Sequence, residues 1–201
     1  MLHTSHIELD KSALNNNIQY IKSRMNKDVK YSMVVKANAY GHGIEEILPM
    51  IEECGVDHFS VFSVAEAMRA YEIKKDYCDL MIMGFVDDDY LEWAIERGIS
   101  FFVFSLHRLK HTIEMARKIE KKAKIHVEIE TGMHRTGFCE YQLEEVVSLL
   151  KQHFGYLEIE GICSHLAGAE SIVNYKRILE QIRTFHELCD WFHDEGFDPR
   201  Y

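Results

Sequence analysis

Short apolar runs alternate with segments of helical period along almost the whole 201-residue chain, and that alternation leaves few folds open. The runs Tyr31–Val35, His58–Ser63, Leu80–Gly84, Ser100–Ser105, Lys124–Glu130 and Leu157–Ser164 have the length and apolar content of buried strands. Around them, apolar residues recur every three or four positions. Leu14, Ile18, Ile21 and Met25 share one face before the first run, and Ile44, Ile47, Leu48 and Ile51 do so after it. Val146, Leu149 and Leu150 follow the fifth run. After the sixth comes a long stripe from Ile172 through Tyr175, Ile178, Ile182 and Phe185 to Phe192, which reads as a helix packing on a sheet. Strand and helix in unbroken succession predict an α/β fold with a parallel sheet and right-handed crossovers. A doubly wound sheet and a (β/α)8 TIM-type barrel both satisfy this pattern. Gly41-His42-Gly43 lacks the third glycine of a dinucleotide-binding turn, and candidate functional groups follow several strands instead of one crevice. Both points favour the barrel.

Six β/α units do not close an eight-stranded barrel, and Phe197-Asp198-Pro199-Arg200-Tyr201 reads as the approach to a seventh strand. The expectation is an incomplete barrel. Residues 1–10 form an N-terminal segment with a short strand at Ile7–Asp10, and residues 11–201 form a partial barrel cut before its last strands. Asp10 or Ser12 is placed to cap the first helix. An unclosed sheet exposes strand edges, which invite pairing with another copy.

Charge and cysteine usage exclude several classes. The formal net charge is −10, from 33 acidic against 23 basic residues, which argues against a nucleic-acid partner. Cys54, Cys78, Cys139, Cys163 and Cys189 are odd in number and contain no C-x-x-C pair. Neither a disulfide framework nor a metal site is suggested, so a reducing cytoplasm is the default. Met1-Leu2-His3-Thr4-Ser5-His6 lacks the apolar centre of a signal peptide, and no apolar run is long enough to cross a bilayer.

Three strand ends carry the chemistry. Lys36 stands where the first apolar run meets the turn Ala37-Asn38-Ala39-Tyr40-Gly41-His42-Gly43. A partly desolvated amine there is a usable nucleophile, and Tyr40 with the glycine-rich backbone is suited to a phosphate. On position alone, a strand-end lysine with its ammonium in solvent fits equally well. Arg135 lies between Gly132 and Gly137, where a bent backbone can aim a guanidinium at a phenolate or carboxylate; an exposed loop arginine is the alternative. His165 follows the sixth run and is suited to orient a catalytic group or stack on a flat ring, or simply to satisfy a rim position. Glu128 and Glu130 alternate with Val127 and Ile129, so carboxylates facing a barrel interior need partners.

Taken together, Val35-Lys36-Ala37-Asn38-Ala39-Tyr40-Gly41-His42-Gly43, Thr131-Gly132-Met133-His134-Arg135-Thr136-Gly137 and Ser164-His165-Leu166-Ala167 resemble the N-terminal barrel of the alanine racemase family, fold type III pyridoxal phosphate enzymes. The resemblance runs from Ile7-Glu8-Leu9-Asp10 to the C-terminus. It implies pyridoxal 5'-phosphate as cofactor, with Lys36 forming the internal aldimine and Tyr40 hydrogen-bonding the phosphate. It implies that Arg135 reaches the cofactor's phenolic oxygen and helps place the substrate carboxylate, and that His165 lies against the pyridine ring. The implied activity is a two-base racemisation of a small amino acid, L- to D-alanine and back, in which Lys36 serves one face. In the family, a tyrosine from the C-terminal domain of the partner subunit of a homodimer serves the other. No residue of these 201 takes that second role, so the chain by itself is expected to be inactive. Many members carry a carbamylated lysine at the position that is Glu128 here; both are anions, so Glu128 is expected to supply the negative charge that holds Arg135. Related barrels serve amino-acid decarboxylases, D-threonine aldolases and D-serine dehydratases, and a non-catalytic carrier of the same cofactor shares a single-domain barrel.

Overall fold

The computed structural model describes residues 5–168 and 171–201; Met1–Thr4 of the N-terminal segment, and Ala169 and Glu170 beyond the His165 motif, lie outside them. The chain divides into two compact units, Met1–Val86 and Asp87–Tyr201. Among the described residues no helix is long and apolar enough to cross a membrane.

The first unit opens with α1 (Lys11–Lys22). Its N-cap is Asp10, whose carboxylate accepts the backbone N–H groups of Ser12 (2.8 Å) and Ala13 (3.1 Å), two of the donors a helix start leaves unpaired. The short strand expected at Ile7–Asp10 is not formed. Alternation supplies the side chains of a strand, but a strand exists only where a ladder partner lies alongside, and Ile7 is 67% exposed. After α1 come β1 (Met33–Val34), α2 (Lys36–Tyr40), α3 (Ile44–Glu53), β2 (His58–Val61), α4 (Val64–Ile73) and β3 (Asp79–Ile82). The three strands are parallel, with Met33 opposite Phe59 and Phe59 opposite Leu80. All four β2 residues are buried, as expected of a parallel strand covered on both faces. Ile44, Leu48 and Ile51 of α3 and Val64, Ala67 and Ala70 of α4 complete the core with Phe59, Val61 and Ile82.

The second unit contains α5 (Asp88–Glu96), β4 (Ser100–Val103), α6 (Leu106–Lys118), β5 (Ala123–Glu128), α7 (Leu143–Gln152), β6 (Leu157–Cys163) and α8 (Tyr175–Asp194). These strands are also parallel: Phe101 faces Ile125 and Val103 faces Val127. Between β5 and β6 the register shifts, with Ile125 opposite Ile159 but His126 opposite Gly161, so Glu160 is the extra residue of a bulge. Tyr201 donates its N–H to Glu160 O (2.9 Å) and accepts from Ile162 N (2.9 Å), the pattern of a parallel neighbour beside β6, where the sequence predicts the approach to another strand.

Each of the six apolar runs holds a strand, but the ladders stop one or two residues before the runs do. Ser63 and Ser105 leave the strands to cap α4 and α6 through their hydroxyls. The long stripe also starts late: Ile172 and Val173, 94% and 92% exposed, precede α8 and do not join its packing face.

Candidate functional site

In the first unit, Lys36 follows β1 after Val35 and opens α2. That single turn is wound the wrong way for L-residues: Ala37, Asn38, Ala39 and Tyr40 have φ of 53°, 55°, 53° and 54°. Left-handed backbone costs roughly 1–2 kcal/mol per non-glycine residue, so the turn persists only because its surroundings hold it. Glu66 of α4 supplies much of that hold. One carboxylate oxygen accepts the Ala37 N–H (2.6 Å), and the other accepts Phe62 N–H (2.9 Å) and Ser63 N–H (3.0 Å). Burial pushes the Glu66 carboxyl up, but these N–H donors outweigh it and hold the group below its usual range, so it is anionic at neutral pH. Asn38 adds a second hold. Its side-chain oxygen accepts from Ile44 N (3.1 Å) and from Arg69 (2.9 Å), and Arg69 makes a paired contact with Glu45 at 2.8 and 2.7 Å.

The Lys36 side chain is half-buried, with Nζ over the face of Phe62, 5.8 Å from the ring centroid. Among the described residues it has no hydrogen bond or ion pair. Tyr40 lies four residues on in the same turn and is 62% exposed, with no hydrogen bond to its hydroxyl among the described residues. Among the described residues, then, one turn carries an amine and a phenol hydroxyl that make no hydrogen bond.

In the second unit, the loop after β5 is folded around Glu130. Its carboxylate accepts the Gly132 N–H and, at 2.6 Å, the His134 N–H. Burial works against this charge, yet the backbone N–H groups of residues 132–135 hold the carboxyl below its usual range. The partner predicted for this acid is therefore backbone, not a basic side chain. Gly137 lets the loop return to the sheet. Its φ is 113°, and a Cβ there would stand 2.7 Å from Glu130 N and 2.8 Å from the Ile129 carbonyl carbon, which only glycine avoids. Phe138 then exchanges backbone bonds with Glu128 (2.8 Å) and Glu130 (3.0 Å). Arg135 rides on this loop, exposed, its guanidinium without a hydrogen bond among the described residues.

Glu128, at the end of β5, is 4% exposed and accepts from the Thr136 hydroxyl (2.9 Å). Burial pushes its carboxyl up; the Thr136 bond and the charge of Arg135 pull the other way without cancelling the rise, and Glu130 adds to it. Glu128 feels Arg135 electrostatically, but the two side chains do not close to an ion pair.

His165 follows β6 and is exposed. Its loop is tied to the Arg135 loop at two points. The Thr131 and Ser164 hydroxyls are 2.7 Å apart. Gln181 of α8, 1% exposed, accepts from Ala167 N (2.9 Å) and donates to His165 O (3.0 Å) and Thr131 Oγ1 (3.3 Å). Lys36 and Tyr40 thus share one turn of the first unit, while Arg135, His165 and Glu128 sit on strand ends and loops knitted together in the second. All follow the carboxyl ends of parallel strands, where β/α-barrel proteins carry their chemistry. Sequence reasoning missed Glu66 and Gln181. Ser63-Val64-Ala65-Glu66 is a visible capping box, and Gln181 is a polar residue inside the apolar stripe of α8; neither pattern shows the distant loop it reaches.

Parallel β/α units with an amine, a guanidinium and an imidazole following their strands define a barrel-type α/β protein. More narrowly, the chain belongs to the family of the alanine racemase N-terminal domain, whose sequence profile matches residues 9–201. It is 34% identical over 198 residues to alanine racemase 2 of Caldanaerobacter subterraneus, covering 97% of this chain and 50% of that protein. It is 33% identical over 170 residues to an alanine racemase of Methanococcus maripaludis, covering 84% and 45%. Among solved structures, alanine racemase of Clostridium difficile superposes with a TM-score of 0.86 at 28% identity, over 94% of this chain and 49% of that one. The chain spans about half the length of the relatives it matches.

Proposed function

We propose that this chain carries the cofactor-binding barrel of a pyridoxal-phosphate-dependent amino-acid racemase whose substrate pair is L- and D-alanine. One observation carries the reading: Lys36, half-buried and without a polar partner among the described residues, is presented by a strained turn that Glu66 and Asn38 hold in place. Strain maintained at such a cost marks a functional position.

The donor set fits the cofactor. Each group suits the cofactor by its own chemistry, as the family resemblance implies: the Lys36 amine would take its aldehyde, the Tyr40 hydroxyl its phosphate, the Arg135 guanidinium its phenolic oxygen, and the His165 imidazole its ring. Bound pyridoxal phosphate supplies the electron sink that makes a substrate's α-C–H acidic. Lys36 would hold the cofactor's aldehyde, and its Nζ would accept or return the substrate's α-proton on one face. Arg135 orients the substrate carboxylate and fixes charge near the reacting carbon. The group acting on the opposite face comes from outside these residues, from a partner subunit of a homodimer. Alanine racemases solved with bound cycloserine and with bound L-Ala-P support a small amino-acid substrate.

The test is a racemisation assay on the natural full-length protein loaded with pyridoxal phosphate. The reading expects conversion of L- to D-alanine and a loss of at least ~100-fold in Lys36→Ala, the scale of removing a general base. Release of carbon dioxide or of an aldehyde, with no change of configuration, would replace racemisation by decarboxylation or aldol cleavage.

A further inference from the structure

Two helices of the second unit carry a group of side chains that plays no part in the cofactor reading. Asp88 is the first residue of α5. His107 and His111 are four residues apart on α6, so both imidazoles leave one helix face. Their ring centroids are 4.1 Å apart. One oxygen of Asp88 lies 2.8 Å from His111 Nδ1, and the other lies 2.7 Å from the guanidinium of Arg108, which is 1% exposed. A ligand-capable atom from each of Asp88, His107 and His111 lies within 4.8 Å of the other two.

The geometry points to a divalent transition-metal site of the Zn2+ class, built from Asp88, His107 and His111 and bridging α5 to α6. Two imidazoles and a carboxylate are a set that first-row metals favour, whereas Mg2+ and Ca2+ select oxygen ligands. With metal–ligand bonds of ~2.0–2.1 Å, tetrahedral ligand atoms stand about 3.3 Å apart, so the cluster closes by small rotations of partly exposed side chains. Arg108 is the outer support. It engages one Asp88 oxygen and leaves the other directed at His111, as carboxylate ligands are commonly oriented. His107 separates this reading from a plain ion pair. Without a metal, His111 and Asp88 pair with each other, and His107 only stacks on His111.

The experiment is calorimetric titration of tag-free, reduced protein with ZnCl2, together with the visible spectrum of the Co2+ form. The site predicts one equivalent bound on the order of micromolar affinity. It predicts weakening by at least ~10-fold in both His107→Ala and Asp88→Asn. Zn2+ raises the thermal midpoint of the parent protein more than that of His107→Ala at the same concentration, while the metal-free midpoints agree, since His107 is exposed. Undiminished Zn2+ binding by His107→Ala, no uptake by the parent protein, or thiolate-to-Co2+ charge-transfer bands would each overturn the assignment; the last would place the ion on cysteines.

Discussion

Gln181 holds two loops with one amide, and its removal is felt in both. Gln181→Leu keeps the volume but leaves the Ala167 N–H without its partner in a buried place and the His165 C=O without its partner in a half-buried one. Unsatisfied buried groups cost about 1–3 kcal/mol each, so a loss of roughly 3 kcal/mol in denaturant unfolding is expected, with Gln181→Glu in between because it still accepts from Ala167. A Gln181→Leu protein of parent stability would show that the amide bonds matter little. Glu128 predicts the opposite sign. Its folded carboxyl titrates above 4.5, so the native state binds that proton more tightly than the unfolded chain does. Its contribution is therefore favourable in acid and is lost as pH rises from 4.5 through the raised folded value. Glu128→Gln, whose amide oxygen still accepts from Thr136, should raise the thermal midpoint at neutral pH and flatten its dependence above pH 4.5. A lower midpoint with an unchanged slope would mean that the anion stabilises the fold through Arg135, the role the sequence suggested for it.

The left-handed turn α2 makes a prediction whose sign alone is decisive. In an ordinary helix Ala→Gly destabilises by roughly 0.5–1 kcal/mol. At Ala37, exposed and at φ 53°, glycine relieves a steric penalty of about 1–2 kcal/mol that exceeds this entropy cost. Ala37→Gly should therefore be neutral to stabilising by up to about 1 kcal/mol, read by chemical denaturation; a clear loss would show a right-handed turn. Nothing in Ala37-Asn38-Ala39-Tyr40 announces this conformation, because only the neighbouring Gly41 and Gly43 carry the usual signal of positive φ. The strands and helices were legible for the reverse reason. Burial on both faces forces apolar runs such as His58–Val61, and one-sided packing forces a 3.6-residue period such as Ile44, Leu48 and Ile51. Where legibility failed, pairing decided. Ile7–Asp10 has a strand's alternation without a ladder, and Ile172 has the stripe's hydrophobicity without a surface to cover.

Across the molecule, the positions of Lys36, Tyr40, Arg135 and His165 at strand ends were readable from local motifs, because each motif lies within a few residues of a strand. The supports were not. Glu66 acts 29 residues from Ala37, and Gln181 acts 50 residues from Thr131, contacts that only folding creates. Both are hydrogen-bonded anchors between segments far apart in the sequence. The account rests on Lys36 being the amine that captures the cofactor's aldehyde. Incubation with pyridoxal phosphate, borohydride reduction and peptide mass spectrometry reads this directly. The adduct is expected on Lys36, at stoichiometric occupancy and before other lysines react. An adduct spread over surface lysines with Lys36 unmodified would contradict it.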